Sequence, residues 1–277
     1  MKTLFSPAVR AFLLCMSAWL LCAAGNPAQA AEPVLELSFS KQQQRLTRAD
    51  LLRHPDVRTI EVPADSAYKQ PMKYRALPLL SILRNVRDVD VLQFRAEDGF
   101  VANIPTALLS GGAQPWLAIE PAHTPWPALK TGGRSAGPFY LVWLAPEKSG
   151  ITPELWPYQI AAISAVTPLQ NRYPQILPAA SSAADSAEYR GMHIYTMQCA
   201  ACHQINGGGD ATVGPDLNLP FNPTEYFQGD FLRRYIRNPS AVRSWPHMTM
   251  PGFSEQVLSE SQMDDLLAYL RHMTQRR

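Results

Sequence analysis

Hydrophobic and polar residues alternate in several short runs of the first 170 residues, with the period of two that half-buried strands show. Val34–Phe39 is one such run, and the pattern predicts further strands at 58–62, 89–94, 100–104, 116–119, 139–144 and 159–166. Gly99 supplies the positive φ of a hairpin turn between two of them. Thr47 is placed to cap a short helix with Asp50 at its third position, and a second helix is predicted at 77–83. We therefore predict a mainly β region with one or two short helices.

The apolar spacing becomes helical after residue 187. Ser186–Gln198 is predicted to be a helix, Phe231–Arg237 a second, and Ser259 caps a last one. That last helix carries an apolar stripe at helical spacing, formed by Met263, Leu266, Leu267 and Leu270. Between the two regions, 171–187 is rich in Pro, Ser and Ala and predicts a linker. The predicted fold class is thus a two-domain chain, mainly β (α+β) and then all-α.

The first thirty residues have the pattern of a Sec-type signal peptide. A basic start precedes an uncharged apolar run at 11–24, and Ala28-Gln29-Ala30 is a small-x-small cleavage pattern. The apolar run falls short of the roughly 20 residues that span a bilayer, although an uncleaved anchor is the alternative interpretation. Leucine precedes both Cys15 and Cys22, which argues against lipidation there. We expect export to the periplasm, with no stable membrane span after cleavage.

Charge excludes one class of partner. The chain has 25 Lys and Arg against 23 Asp and Glu, a formal charge of +2. Cleavage would remove Lys2 and Arg10 and leave a formally neutral protein. A nucleic-acid binder that neutralises many phosphates needs a larger basic excess, so no nucleic-acid partner is expected. A hydrophobic fraction of 46% is enough to bury a core.

The four cysteines carry the strongest chemical signal. Two leave with the signal peptide, and the other two lie three apart in Cys199-Ala-Ala-Cys202, followed at once by His203. Two such cysteines can form thioethers with both vinyl groups of one haem while the histidine reaches the iron. A redox dithiol and half of a zinc site are the alternatives. The surrounding sequence offers neither a βαβ context nor a second Cys/His pair at usable spacing, so we predict one covalently attached haem c.

The segment from about Glu188 to Thr274 resembles class I cytochrome c. The resemblance lies in blocks that occur in the family's order: Gly191 and Tyr195, Gly207-Gly-Gly209, Gly214-Pro-Asp-Leu217, Arg237-Asn-Pro239, Met250-Pro-Gly-Phe253 and Leu266–Leu270. It implies that the Pro215 carbonyl accepts a hydrogen bond from the proximal His203. It also implies that Gly191 lets the first helix pack closely against Tyr269. The second iron ligand is then a methionine thioether, Met250 by the Met-Pro pattern, with Met248 as the alternative.

Residues 34–166 resemble the molybdopterin-binding (sulfite-oxidase-like) domain of oxidoreductases. The resemblance lies in short blocks, which are Tyr74–Leu80, Phe94–Phe100, Leu117-Ala118, Gly137-Pro138, Leu141-Val142 and Trp156–Ile163. That family's molybdenum ligand is a cysteine, and residues 32–170 contain none. The departure argues against bound molybdopterin. We interpret this region as a cofactor-free relative that serves as a docking module.

The predicted organisation is a signal peptide (1–30), a β-rich sulfite-oxidase-like module (31–170), a linker (171–187) and a cytochrome c domain (188–277). A six-coordinate haem has no open position for substrate, so an electron carrier is favoured over a catalyst. The expected partners are a periplasmic dehydrogenase and a terminal oxidase or another cytochrome. The alternative is an oxidoreductase subunit whose N-terminal domain binds a cofactor or substrate and reduces its own haem. A haem sensor with a labile Met250 is a third hypothesis.

Four arginines between the haem motif and Met250 form a candidate docking patch for an acidic partner; they are Arg233, Arg234, Arg237 and Arg243. The alternative is that they belong to an ordinary solvated face.

Overall fold

The computed structural model describes residues 31–39, 42–83, 86–245 and 248–277. The predicted signal peptide lies outside these ranges. Residues 34–277 form one compact unit, in which a β-rich region is followed by a helical region. Among the described residues, no helix combines the length and the apolar character that a membrane crossing requires.

The β-rich region is built from two sheets. One has the order β2-β1-β9-β5-β6 and the other β3-β4-β7-β8. All their strand pairs are antiparallel except β1 with β9. The strands are β1 (Val34–Phe39), β2 (Gln42–Thr47), β3 (Arg58–Val62), β4 (Met72–Pro78), β5 (Val91–Ala96), β6 (Val101–Pro105), β7 (Gln114–Ile119), β8 (Phe139–Leu144) and β9 (Ile160–Val166). Inward side chains of both sheets form one continuous apolar core.

The alternating runs form strands, and the predicted helix cap at Thr47 and the predicted turn at Gly99 are both present. Thr47 caps α1 (Arg48–Leu52), and Asp50 completes a reciprocal capping box. Gly99 has φ +93° at the β5–β6 turn. A second short helix, α2 (Thr106–Leu109), follows β6.

The predicted helix at 77–83 is wrong. β4 continues through Leu77 and Pro78, which pair with Leu117 and Trp116 of β7, and only a 3₁₀ turn (Leu79–Ser81) follows. The apolar run fits either structure, and pairing with a buried strand decided between them. Strand β2 was not predicted because its residues are polar and largely exposed, as an edge strand allows.

The helical region is organised around one close crossing. α4 (Ala187–Ile194), capped by Ser186, runs into a π-helical turn (Tyr195–Cys199) and packs against α8 (Glu260–Met273). A Cβ on Gly191 would lie 2.1 Å from the Asp265 carbonyl oxygen and 2.6 Å from Cβ of Tyr269. Glycine therefore permits the close approach that the resemblance implied. The remaining helices are short: α3 (Leu169–Arg172), α5 (Pro223–Tyr226), α6 (Phe231–Arg237) and α7 (Pro239–Val242).

Part of the segment predicted as a linker packs into the helical core. Ile176, in a 3₁₀ turn (Pro174–Ile176), is fully buried there. The Tyr269 hydroxyl donates to the Ile176 carbonyl at 2.6 Å, and the Ala179 amide donates to Nε2 of His272 at 2.9 Å. These contacts hold 176–179 against α8, so this part is not a free tether.

Candidate haem site

The Cys-Ala-Ala-Cys-His motif forms a single turn at the end of the π-helical segment. The amides of Cys202 and His203 both donate to the Cys199 carbonyl, at 3.0 and 2.9 Å. Both cysteines are free thiols and partly buried. One turn thus presents two reduced sulfurs and an imidazole, the donor set that covalent haem attachment requires.

A hydrogen bond to Pro215 orients the His203 ring. Its Nδ1 lies 2.7 Å from the Pro215 carbonyl oxygen. A carbonyl only accepts, so Nδ1 carries the proton and Nε2 is left with its lone pair for a metal. Burial lowers the pKa of His203, although the bond to Pro215 opposes this. The neutral imidazole that binds iron is therefore favoured.

Gly214 allows that ring position. Its amide donates to the Cys202 carbonyl at 2.8 Å. A Cβ at Gly214 would lie 2.4 Å from Cε1 of His203, which is inside contact distance. The His203 ring therefore packs directly on the backbone of Gly214, and any side chain at position 214 would displace the ring.

Asp216 and Asn218 fix the loop that carries Pro215. The Asp216 carboxylate accepts from the amides of Gly207 at 2.7 Å and Asn218 at 2.7 Å. The Asn218 side chain is fully buried and donates to the Met273 carbonyl at 2.7 Å. This ties the Pro215 carbonyl to the end of α8. Our sequence reasoning missed these roles, although an Asx turn at Asp216 would have been a usable signal.

Met250 lies in a loop anchored to α6. The Phe253 amide donates to the Ile236 carbonyl at 3.0 Å, and Arg237 Nη1 donates to the Phe253 carbonyl at 2.9 Å. Met250 is partly buried and packs against the helical core. Met248 is also partly buried, but in the described part of the chain it is not among the side chains packed on that core.

Two of the four arginines of the candidate docking patch have internal partners. Arg233 pairs with Glu260 and Asp264, and Arg237 pairs with Glu260. These two side chains support α6 and the Met250 loop, so the patch hypothesis is weakened for both of them.

The β5–β6 hairpin packs directly onto the haem motif. The Val101 amide donates to the carbonyl of Ala201, between the two cysteines, at 3.0 Å. A Cβ on Gly99 would lie 2.8 Å from Oγ1 of Thr212, in the loop that follows the motif. The β-rich region therefore covers one side of the haem motif.

A buried polar cluster around Asp210 joins the two regions at this contact. The Asp210 side chain is 6% exposed and accepts from Arg172 Nη1 at 2.6 Å and from the Tyr173 hydroxyl at 3.0 Å. Asn103 of β6 donates to the same carboxylate at 3.4 Å. Burial alone would raise the pKa of Asp210, but Arg172 and the hydrogen bonds outweigh it, and the pKa lies below its ordinary value. The sequence holds no local signal for this cluster, because Asn103 and Asp210 are 107 residues apart.

The surroundings of the two thiols are apolar and acidic. Burial raises the pKa of Cys199 to about 12, with Glu154 contributing, and the pKa of Cys202 to about 11, with Asp98 and Glu154 contributing. Burial therefore favours the neutral thiol over the thiolate at both positions. Glu154 is a residue that our sequence reasoning missed.

Comparison with protein families identifies the helical region. Residues 189–274 match the family model for Cytochrome c. The match covers less than half of the chain, and it shows a cytochrome c domain in the C-terminal region. Such a domain is an electron-transfer domain with covalently bound haem c and redox partners. The two thiols, the free Nε2 of His203 and the cradle at Gly214 fit that group.

Proposed function

We propose that the mature protein is a periplasmic cytochrome with one covalent haem c, and that it transfers single electrons between partner proteins. Cys199 and Cys202 would hold the haem as thioethers, and His203 and Met250 would be its axial ligands. The observation that carries this proposal is the bond from His203 Nδ1 to the Pro215 carbonyl at 2.7 Å, within a Cys-x-x-Cys-His turn. When bound, the group supplies a one-electron couple.

The protein's part is to hold and orient the ligands. The Pro215 carbonyl fixes the ring and makes His203 a stronger donor, as partners of metal-bound histidines do. The hydrogen bonds of Phe253 to Ile236 and Arg237 anchor the loop that carries the Met250 thioether, which supports Met250 as the second ligand. If His203 and Met250 both bind the iron, no position would be open for substrate, which favours a carrier.

In this proposal the β-rich region docks a partner dehydrogenase. Its hairpin already lies on the haem motif through Val101 and Ala201. A donor bound to that region would be close to the thioether side of the haem. A terminal oxidase or another cytochrome would accept the electron.

Export of the chain is part of the same proposal. The pattern at 1–30 would direct the chain through the Sec system and be removed. Both remaining cysteines would be consumed as thioethers, so the mature protein would have neither a free thiol nor a disulfide.

The deciding experiment is expression with the haem-attachment machinery, followed by haem staining after denaturation. One haem per chain should survive in the wild type, and none should survive in a Cys199→Ala, Cys202→Ala double variant. In the oxidised protein, Met250→Ala should remove the sulfur–iron(III) absorbance near the red end of the spectrum, whereas Met248→Ala should keep it. If Met248→Ala removes that absorbance instead, Met250 is not the ligand. Co-purification from the same cells would identify the partner.

One observation favours the alternative, an oxidoreductase subunit that reduces its own haem. The β-rich region contacts the haem motif directly through Val101 and Ala201, so an electron donor bound within it would have a short route. Metal and pterin analysis of the purified protein tests this. Stoichiometric molybdenum, or haem reduction by a substrate without added enzyme, would replace the carrier proposal by the alternative.

A further inference from the structure

A carboxyl group beside the cysteines lacks normal hydrogen bonding. Within the described ranges, Oε2 of Glu154, Oγ1 of Thr152 and Oε1 of Gln198 are buried without a hydrogen-bond partner of good geometry. Glu154 lies in a 3₁₀ turn (Pro153–Leu155) of the β-rich region, and Gln198 directly precedes Cys199. Buried polar atoms are normally paired, so these three atoms call for an explanation.

Burial keeps the proton affinity of Glu154 high. Burial raises the pKa of Glu154, and its own backbone amide, the nearby Thr152 hydroxyl and the Lys69 ammonium oppose this only in part. Glu154 forms no ion pair within the part of the chain that is described. The Glu154 carboxyl acts electrostatically on Cys199 and Cys202 of the haem motif. Asp98 acts on Cys202 and Tyr158 from the hairpin.

Solvent reaches this turn at Pro153. A cavity of about 470 Å³ has Lys69, Pro153 and Trp156 in its wall. Pro153 directly precedes Glu154, so protons from solvent come within one residue of Glu154 in sequence.

We propose that Glu154 is a redox-linked proton site, which gains a proton when the haem domain is reduced and loses it on oxidation. This rests on the proposed function, because it needs haem at Cys199 and Cys202. The balance is one electron from the redox partner protein and one proton from solvent. The only bond made is the O–H bond of the Glu154 carboxyl, and oxidation breaks the same bond. The cysteines would attach the porphyrin and would not be iron ligands, so Glu154 would act on the haem through its charge and not as a ligand of the metal.

The coupling follows from charge. Oxidised haem carries one more positive charge than reduced haem, and a positive charge favours the ionised carboxylate. For any two unit charges about 10 Å apart at an effective dielectric constant of about 20, the interaction changes an acid constant by roughly tenfold. By reciprocity the proton changes the haem's electron affinity by the same factor, which is about 59 mV for a one-electron couple.

The test is a redox titration of the holo-protein against pH, with Glu154→Gln compared with Glu147→Gln. Glu147 is exposed in the neighbouring 3₁₀ turn (Pro146–Ser149), so its variant makes the same charge change in solvent. In the wild type and Glu147→Gln, the potential should fall by a total of about 59 mV as pH rises through a window above the ordinary glutamate value of 4.5. Glu154→Gln should lack this fall. A fall retained in Glu154→Gln, or lost equally in Glu147→Gln, would overturn the proposal.

A second variant covers the case in which Glu154→Gln does not assemble. Lys69→Met keeps the carboxyl but removes an exposed ammonium that lowers the pKa of Glu154. The pH window should then move upward, and an unmoved window would contradict the proposal. Reduced-minus-oxidised infrared spectra give a further readout, since the C=O band of a protonated carboxyl should appear on reduction and vanish in Glu154→Gln. Failure of the proposed function would be seen separately, as the absence of covalent haem.

Discussion

The β-rich and helical regions are stabilised in different ways. In the former, two sheets share one apolar core, and many side chains contribute a little each. In the latter, one helix crossing at Gly191 and a few polar side chains that bind backbone, such as Asn218 and Asp216, hold long irregular loops. A core in which many side chains share the packing tolerates the removal of one methyl group. A single close backbone contact, in contrast, does not tolerate the addition of a methyl group.

The largest expected effect on stability is at the crossing of α4 and α8. Gly191→Ala would place a methyl group against the Asp265 carbonyl and Tyr269, both on α8, and neither can move without shifting the helix. We expect a loss of about 3 kcal/mol in the free energy of unfolding, at the upper end for overpacking. Ile163→Val, which removes one methyl group from the fully buried core of the sheets, should cost only about 1 kcal/mol. Urea unfolding of both variants measures this, and similar losses would remove the distinction between the regions.

The polar cluster around Asp210, at the contact between the two regions, should be the next most sensitive place to substitution. Asp210→Ala would leave the Arg172 guanidinium without its carboxylate, and Arg172 is 21% exposed in its side chain. Breaking a buried pair costs about 3–5 kcal/mol, so with partial access of solvent to Arg172 we expect about 2 kcal/mol. Glu36→Ala, which breaks an ion pair between two well-exposed side chains, should cost less than about 0.5 kcal/mol. Two separate thermal transitions in Asp210→Ala would show that the Asp210 carboxylate, which also accepts from Asn103 of β6, couples the regions, and an unchanged single transition would show that it does not.

The same pair predicts a pH dependence. The pKa of Asp210 is lower in the folded chain than its ordinary value of 3.8. A depressed carboxyl pKa contributes stability above the unfolded pKa and loses it as pH falls through the folded pKa. The stability difference between wild type and Asp210→Asn should therefore be constant at neutral pH and shrink below about pH 3.8. Chemical unfolding at a series of pH values checks this, and a difference that shrinks between pH 7 and 5 would assign the effect to another group.

How far the sequence could predict the molecule depended on the range of each interaction. Alternation and capping are local, so β1, the Thr47 cap and the Cys-Ala-Ala-Cys-His turn could be predicted from neighbouring residues. The structure of the run that begins at Leu77 could not be predicted in this way, because Leu77 pairs with Leu117 of β7, which lies 40 residues away in sequence. Asp210 was missed for the same reason, because its contact with Asn103 of β6 joins positions 107 residues apart.

The smallest expected effect concerns the helix N-cap, a local feature that occurs in both regions. Ser259 and Thr47 both cap a helix through a reciprocal box, but Ser259 begins the 14-residue α8 and Thr47 the 5-residue α1. Loss of an N-cap costs about 1 kcal/mol where the helix end is needed by the fold. We expect about that loss for Ser259→Ala, since fraying of α8 would reach Met263 in the core, and about half as much for Thr47→Ala, whose helix is a peripheral turn. Thermal unfolding measures both, and a larger loss for Thr47→Ala would mean that the β-rich region depends on its single contacts as strongly as the helical region does.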